Sequence, residues 1–154
     1  MPDIYQCSES WLHTLVDPDN RRPLDPAGLH STVDSALAGG PVWESSAPKA
    51  AVIARLLATR RRNSASFDVE PAYRSLRGAG VHHDHVIAYE RGPNVTVVAS
   101  RFPASRPDGW AGTAVDVRPG AWRDVLSDRR VDGGRLQLTE LLGHRPAAVL
   151  ERLD

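Results

Sequence analysis

Apolar residues along this chain keep two different periods, and the change between them divides it. Leu29, Val33 and Leu37 recur every four residues, which predicts a helix over Pro26 to Ala38. Gly39-Gly40-Pro41 is the expected stop for it. Ser46 offers an N-cap, Pro48 suits a first turn, and Val52, Ile53, Leu56 and Leu57 make an apolar stripe. This second helix, Ala47 to Arg62, ends on Arg60-Arg61-Arg62, where the helix dipole favours cations. Beyond Asn63 the pattern alternates. Short strands are predicted at Ala72 to Leu76, His85 to Glu90, Val95 to Ser100, Thr113 to Val117, Trp122 to Leu126, Gly134 to Leu138 and Ala147 to Leu150. Turn-forming groups such as Arg91-Gly-Pro-Asn94, Pro119-Gly120 and Asp132-Gly-Gly134 separate them. Strands at this spacing predict an antiparallel β-sandwich, and no further helical period follows.

Before the first helix lies a different kind of sequence. Pro2 to Gln6 reads as a short strand and Cys7 to Asp25 as a loop. Pro18 and Pro23 each remove an amide donor and bias the residue before them to extended backbone. Asp17, Asp19 and Asn20 are turn formers, so the loop is expected to hold one shape with Arg21 and Arg22 projecting.

Composition narrows the possibilities. A chain of 154 residues suffices for one ordinary core and not for two full-sized domains. Apolar and charged fractions of 41% and 25% are globular values. Nineteen basic and nineteen acidic side chains cancel, so charge gives no case for nucleic acid or an anionic membrane as partner. A neutral polar ligand fits that balance. The lone Cys7 excludes an internal disulfide framework and makes a cytoplasmic location the expectation. No secretory leader or membrane-spanning run is legible.

Four features invite chemistry. His82-His-Asp-His85 could place His83 and His85 on one face of a strand as metal ligands. No second ligand cluster has matching spacing, so a solvated turn is the favoured reading, and no metal or other cofactor is expected. Arg60-Arg61-Arg62 reads more simply as a helix end than as an anion patch. Cys7 has no base near it in sequence and reads as a small filler rather than a nucleophile. The opening loop is richer. Bidentate polar groups grip neighbouring sugar hydroxyls, and aromatic rings cover the apolar face of the ring. Asp17 to Arg22, with Tyr5 and Trp11, supplies both. The alternative, an ion network that ties the loop to itself, stands equally on composition.

Pro-Asp-Ile-Tyr-Gln, Ser8-Glu9, Trp11 and Leu-Val-Asp-Pro-Asp-Asn-Arg-Arg-Pro resemble the malto-oligosyltrehalose synthase family of the alpha-amylase superfamily (glycoside hydrolase family 13). The similarity continues through Lys49 to Arg62, His85-Val-Ile-Ala-Tyr, Gly109-Trp110, Trp122-Arg-Asp-Val-Leu and Leu138-Thr-Glu-Leu-Leu. It implies an α+β chain: residues 1–63 the last strand, substrate loop and last helices of a TIM (β/α)8 barrel, residues 64–154 a C-terminal β-sandwich domain. It implies Tyr5, Glu9, Asp17, Asp19, Asn20, Arg21 and Arg22 as substrate-binding residues, and a malto-oligosaccharide or trehalosyl end as ligand. The family isomerises the reducing-end α-1,4 linkage of malto-oligosaccharides to α,α-1,1. Its three catalytic acids lie on earlier barrel strands, and no position here matches them, so the isolated chain is expected to be inactive. The barrel would come from preceding sequence or from a separate chain. A free-standing carbohydrate-binding module and a remnant of a split reading frame are the alternatives. Cys7, Ser10 and Leu12 depart from the family pattern, which puts the local site in question. Leu15, Val16 and the second helix's stripe would then form an exposed apolar patch.

Overall fold

A computed structural model describes residues 9–11, 23, 25–68, 73–105 and 109–153. Two compact units make it up, residues 1–57 and residues 58–154. The division falls inside a helix.

In the first unit, helix α1 runs Pro26–Leu37. Asp25 caps it: its backbone is extended and its carboxylate accepts from the Gly28 N–H at 3.1 Å. Gly28 lets that cap close, because a Cβ there would lie 2.5 Å from the Asp25 Oδ2. The helix stops before Gly39 and Gly40, both with positive φ of 103° and 81°. Ala36 is its buried residue, Leu29 and Val33 are half-buried, and Leu37 is exposed. A 3-10 turn at Val42–Glu44 buries Val42 and leads to helix α2, Pro48–Arg62. The expected cap at Ser46 is displaced by one residue. Ala51 donates to the Ala47 carbonyl at 3.0 Å, and the Ser45 hydroxyl accepts from the Ala47 N–H at 3.1 Å. Arg55 ties α2 back to the Gly40 carbonyl. The buried side of α2 is Ala50, Ala51 and Thr59, whereas Leu56 and Leu57 of the predicted stripe are exposed.

The second unit is an antiparallel sheet. Its strands are β1 Tyr73–Leu76, β2 Gly78–Ala79, β3 Val86–Arg91, β4 Val95–Ser100, β5 Ala114–Asp124, β6 Arg129–Gln137 and β7 Ala147–Arg152. They follow the order β1-β3-β4-β7-β5-β2, with β6 paired to β5 alone. Hydrogen bonding runs through all seven, so the strands expected as an antiparallel β-sandwich form one continuous sheet. The cause is β5. Two strands were expected on either side of Pro119-Gly120, but β5 continues through that point with a register shift between Val117 and Ala121. One half of it pairs with β2 and the other with β7, while β6 follows both halves. Asp132-Gly-Gly134, expected as a separator, lies inside β6. A four-residue helix, α3 Leu138–Leu141, stands where a strand end was expected.

Trp110, Trp122, Leu126, Leu138, Leu142 and Leu150 are the largest apolar side chains buried in this unit. Both indoles satisfy their N–H on backbone: Trp110 to the Gly143 carbonyl at 3.3 Å, Trp122 to the Arg118 carbonyl at 3.0 Å. Asp124 pins the turn after β5. Its Oδ1 accepts from the Leu126 and Val149 N–H groups, both at 3.1 Å, and its Oδ2 from the Ser127 hydroxyl. At its start the unit holds the last turn of α2, where Glu151 of β7 takes a bidentate bond from Arg62 at 3.0 and 2.7 Å and a third bond from Asn63 at 2.6 Å.

Candidate functional site

Of the sequence-predicted binding residues, Glu9 lies within the described structure. Tyr5, Asp17, Asp19, Asn20, Arg21 and Arg22 lie outside the described residues, as do the strand expected at Pro2 to Gln6, Cys7, Leu15 and Val16.

Glu9, Ser10 and Trp11 line a groove of about 330 Å³ in the first unit. Helix α1 and the start of α2 supply the rest of the lining. Ser31, Thr32 and Ser35 line it from α1 because positions four apart stack on one helix face and the residue between them lies within roughly 100° of arc. Ser46, Ala47, Pro48 and Lys49 line it from α2. Lys49 ties residues 9–11 to α2: its Nζ donates to the Ser10 carbonyl at 3.0 Å and sits 5.3 Å from the centre of the Trp11 ring. Trp11 remains 68% exposed, the most open tryptophan of the described residues. The Thr32 hydroxyl donates to the Gly28 carbonyl at 2.8 Å, which leaves its oxygen as an acceptor.

An aromatic ring, a row of hydroxyls, one ammonium and one carboxylate suit binding of a polar ring. They do not suit glycosyl transfer, which uses two carboxyl groups roughly 5–9.5 Å apart; Glu9 is the one carboxylate among the described residues of this lining. The Asp17 to Arg22 loop is marked in the sequence by its charge. The row on α1 is not legible in the sequence, because serines and threonines carry no mark of function in a short helix.

Other candidates resolve into structural roles. The histidines do not share a strand face: His83–His85 is a 3-10 turn ahead of β3. His83 bonds the Gly80 carbonyl through its Nδ1 at 3.1 Å, and the rings of His82 and His85 meet edge to face at 5.4 Å. No group of three ligating side chains among the described residues could hold a metal. A second recess, of about 360 Å³, runs along β6 and carries Arg129, Arg130 and Arg135. Arg129 donates to the Glu140 carbonyl at 3.1 Å, and Arg135 pairs with Asp116 at 3.5 Å.

Within the sheet, Glu90 is buried at 1% exposure on the core side of β3. Arg74 and Arg118 close on it from β1 and β5, each with its Nε 2.8 Å from the Glu90 Oε2. Burial pushes the Glu90 pKa up, and the two guanidinium bonds together outweigh it, holding the carboxyl below its usual range. The same balance acts at Glu151, where bonds from Arg62 and Asn63 overcome burial.

No protein-family model matches the chain. It is 35% identical, over 153 residues, to a Mycobacterium tuberculosis protein assigned as a maltooligosyl trehalose synthase; the match takes in 99% of this chain and 19% of that protein. The solved maltooligosyltrehalose synthase of Arthrobacter ramosus superposes with a TM-score of 0.81 at 32% identity, over 99% of this chain and 20% of that one. A solved glycosyltrehalose synthase superposes at 0.70 with 24% identity, over 99% of this chain and 18% of that one, a likeness of fold. The chain thus spans about a fifth of the length of the relatives it matches. Along almost its whole length it is similar to the C-terminal fifth of maltooligosyl trehalose synthases.

Proposed function

We propose that the chain works as the C-terminal part of an enzyme that turns the reducing-end α-1,4 linkage of a malto-oligosaccharide into an α,α-1,1 linkage. In this reading residues 1–63 are the last strand, loop and helices of a (β/α)8 barrel, and the sheet of residues 64–154 is its C-terminal domain. The relatedness along almost the whole chain carries the reading.

The chemistry is a retaining double displacement. A carboxylate attacks the anomeric carbon while an acid protonates the departing glucose. That glucose turns and attacks through its own anomeric hydroxyl, so it has to be held while water is kept out. Tyr5, Glu9 and the loop Asp17 to Arg22 are the groups this chain offers for holding it. The nucleophile and the acid come from barrel strands outside these 154 residues, supplied by preceding sequence or by a separate chain, in the cytoplasm.

The pure chain is accordingly inactive. Incubated with maltohexaose, it yields no non-reducing trehalosyl product by chromatography; appearance of that product would place a complete catalytic set within these residues.

A further inference from the structure

We propose that the groove between Trp11, α1 and the start of α2 is a binding pocket for one pyranose ring of an α-glucan, with Trp11 as its stacking platform. It rests on the glucan-related reading of the family, and it assigns the binding to residues other than the Asp17 to Arg22 loop.

A singly exposed apolar side chain needs no explanation. Trp11 differs in its setting. The Lys49 Nζ sits 5.3 Å from its ring centre, the residue is 68% open, and it lines a cavity that the hydroxyl-bearing Ser31, Thr32 and Ser35 also line. A pyranose ring has the matching asymmetry. Its axial C–H groups form an apolar face that packs on an indole, and its rim carries hydroxyls that donate and accept. Ser31 and Ser35 can do both from α1. Lys49 has three N–H donors and spends one on Ser10, leaving two. Glu9 adds acceptors. A cavity of about 330 Å³ lies at the small end of ligand pockets, roughly 300–1,000 Å³, which suits a single ring with the chain continuing out of the groove.

The nearest competitor is an anion, drawn by Lys49 and the amide end of α2. The Glu9 carboxylate in the same lining opposes it, and a phosphate has no use for the indole face. A neutral ring uses every group present.

The test is a titration of the isotope-labelled whole chain, following the indole N–H signals of its four tryptophans. Maltotriose is the probe and inorganic phosphate the control. The Trp11 signal, assigned by its loss in Trp11→Ala, should shift saturably with millimolar maltotriose, while the buried Trp110 and Trp122 stay still. In calorimetry Trp11→Ala should weaken maltotriose binding about tenfold or more, as removal of a central aromatic anchor does. Lys49→Ala, with an unchanged unfolding midpoint, should weaken it several-fold and covers the case in which the first variant misfolds. A Trp11 signal unmoved by maltotriose, or moved by phosphate alone, overturns the pocket. The readout is binding without turnover, so an inactive chain that fails to bind sinks the pocket and leaves the family role standing. A chain that binds and also makes trehalosyl product sinks the inactivity instead.

Discussion

At the scale of single residues, the sheet is held by a carboxylate that its own neighbourhood does not announce. Glu90 sits at an inward position of β3, in line with Ala88, where alternation alone expects an apolar side chain. It is tolerated because Arg74 and Arg118, sixteen and twenty-eight residues away, both reach it. Their guanidiniums remain about half exposed and anchor the pair to solvent. Removing the charge therefore costs less than breaking a fully buried pair. Glu90→Gln should destabilise the fold by about 1–3 kcal/mol at neutral pH, measured by urea unfolding. The pH dependence has a definite sign. The folded pKa lies below the ordinary value of 4.5, so Glu90 contributes its stability above that value and loses it as pH falls through the depressed range. Glu90→Gln should flatten the acid limb of the stability curve. An unchanged limb would mean that Glu90 titrates alike in the folded and unfolded chain. Local patterning read β3 as a strand and could not read this triad, because its partners come from strands that only the fold brings together. Trp11 was legible as an aromatic near a polar loop. The hydroxyls that line the same groove were not, since Ser31 and Ser35 acquire meaning only when the fold brings α1 and the start of α2 to one groove.

At the scale of elements, regular periodicity predicts the structure well, and turn-forming residues overstate the breaks. The helix predicted over Pro26 to Ala38 is found at Pro26–Leu37, and that over Ala47 to Arg62 at Pro48–Arg62. The predicted strand Val95 to Ser100 matches β4. Two departures fall at glycines. Pro119-Gly120 and Gly133-Gly134 look like turns, yet both lie inside strands: the first where β5 shifts register, the second where Gly133 permits an approach a Cβ would block, 2.0 Å from the Arg118 carbonyl oxygen. Helix α3 was missed because four residues cannot show a helical period. On α2, Leu56 and Leu57 are 38% and 44% exposed while alanines fill the buried side. Such a face promotes association when left open. Leu56→Gln with Leu57→Gln should reduce concentration-dependent self-association in sedimentation velocity. Identical sedimentation of variant and parent at high concentration would show that the face is not sticky.

At the scale of the molecule, two units of unlike character share one chain: helices with a polar groove, and an antiparallel sheet with two buried tryptophans. The antiparallel second half was legible because strand alternation is a local property. Its closure into one sheet was not, because that depends on how β5 bends. Most of the predicted sugar-binding loop lies outside the described residues, so the chemistry assigned to Asp17 to Arg22 rests on sequence. The most direct measurement is a segment exchange. This chain replaces the matching fifth of the Arthrobacter ramosus enzyme, and the chimera is given maltohexaose. Release of a non-reducing trehalosyl product, lost again when Asp17 to Arg22 is replaced by a Gly-Ser loop, is the predicted result. A folded chimera that yields no trehalosyl product, or only hydrolyses maltohexaose, would contradict the assignment.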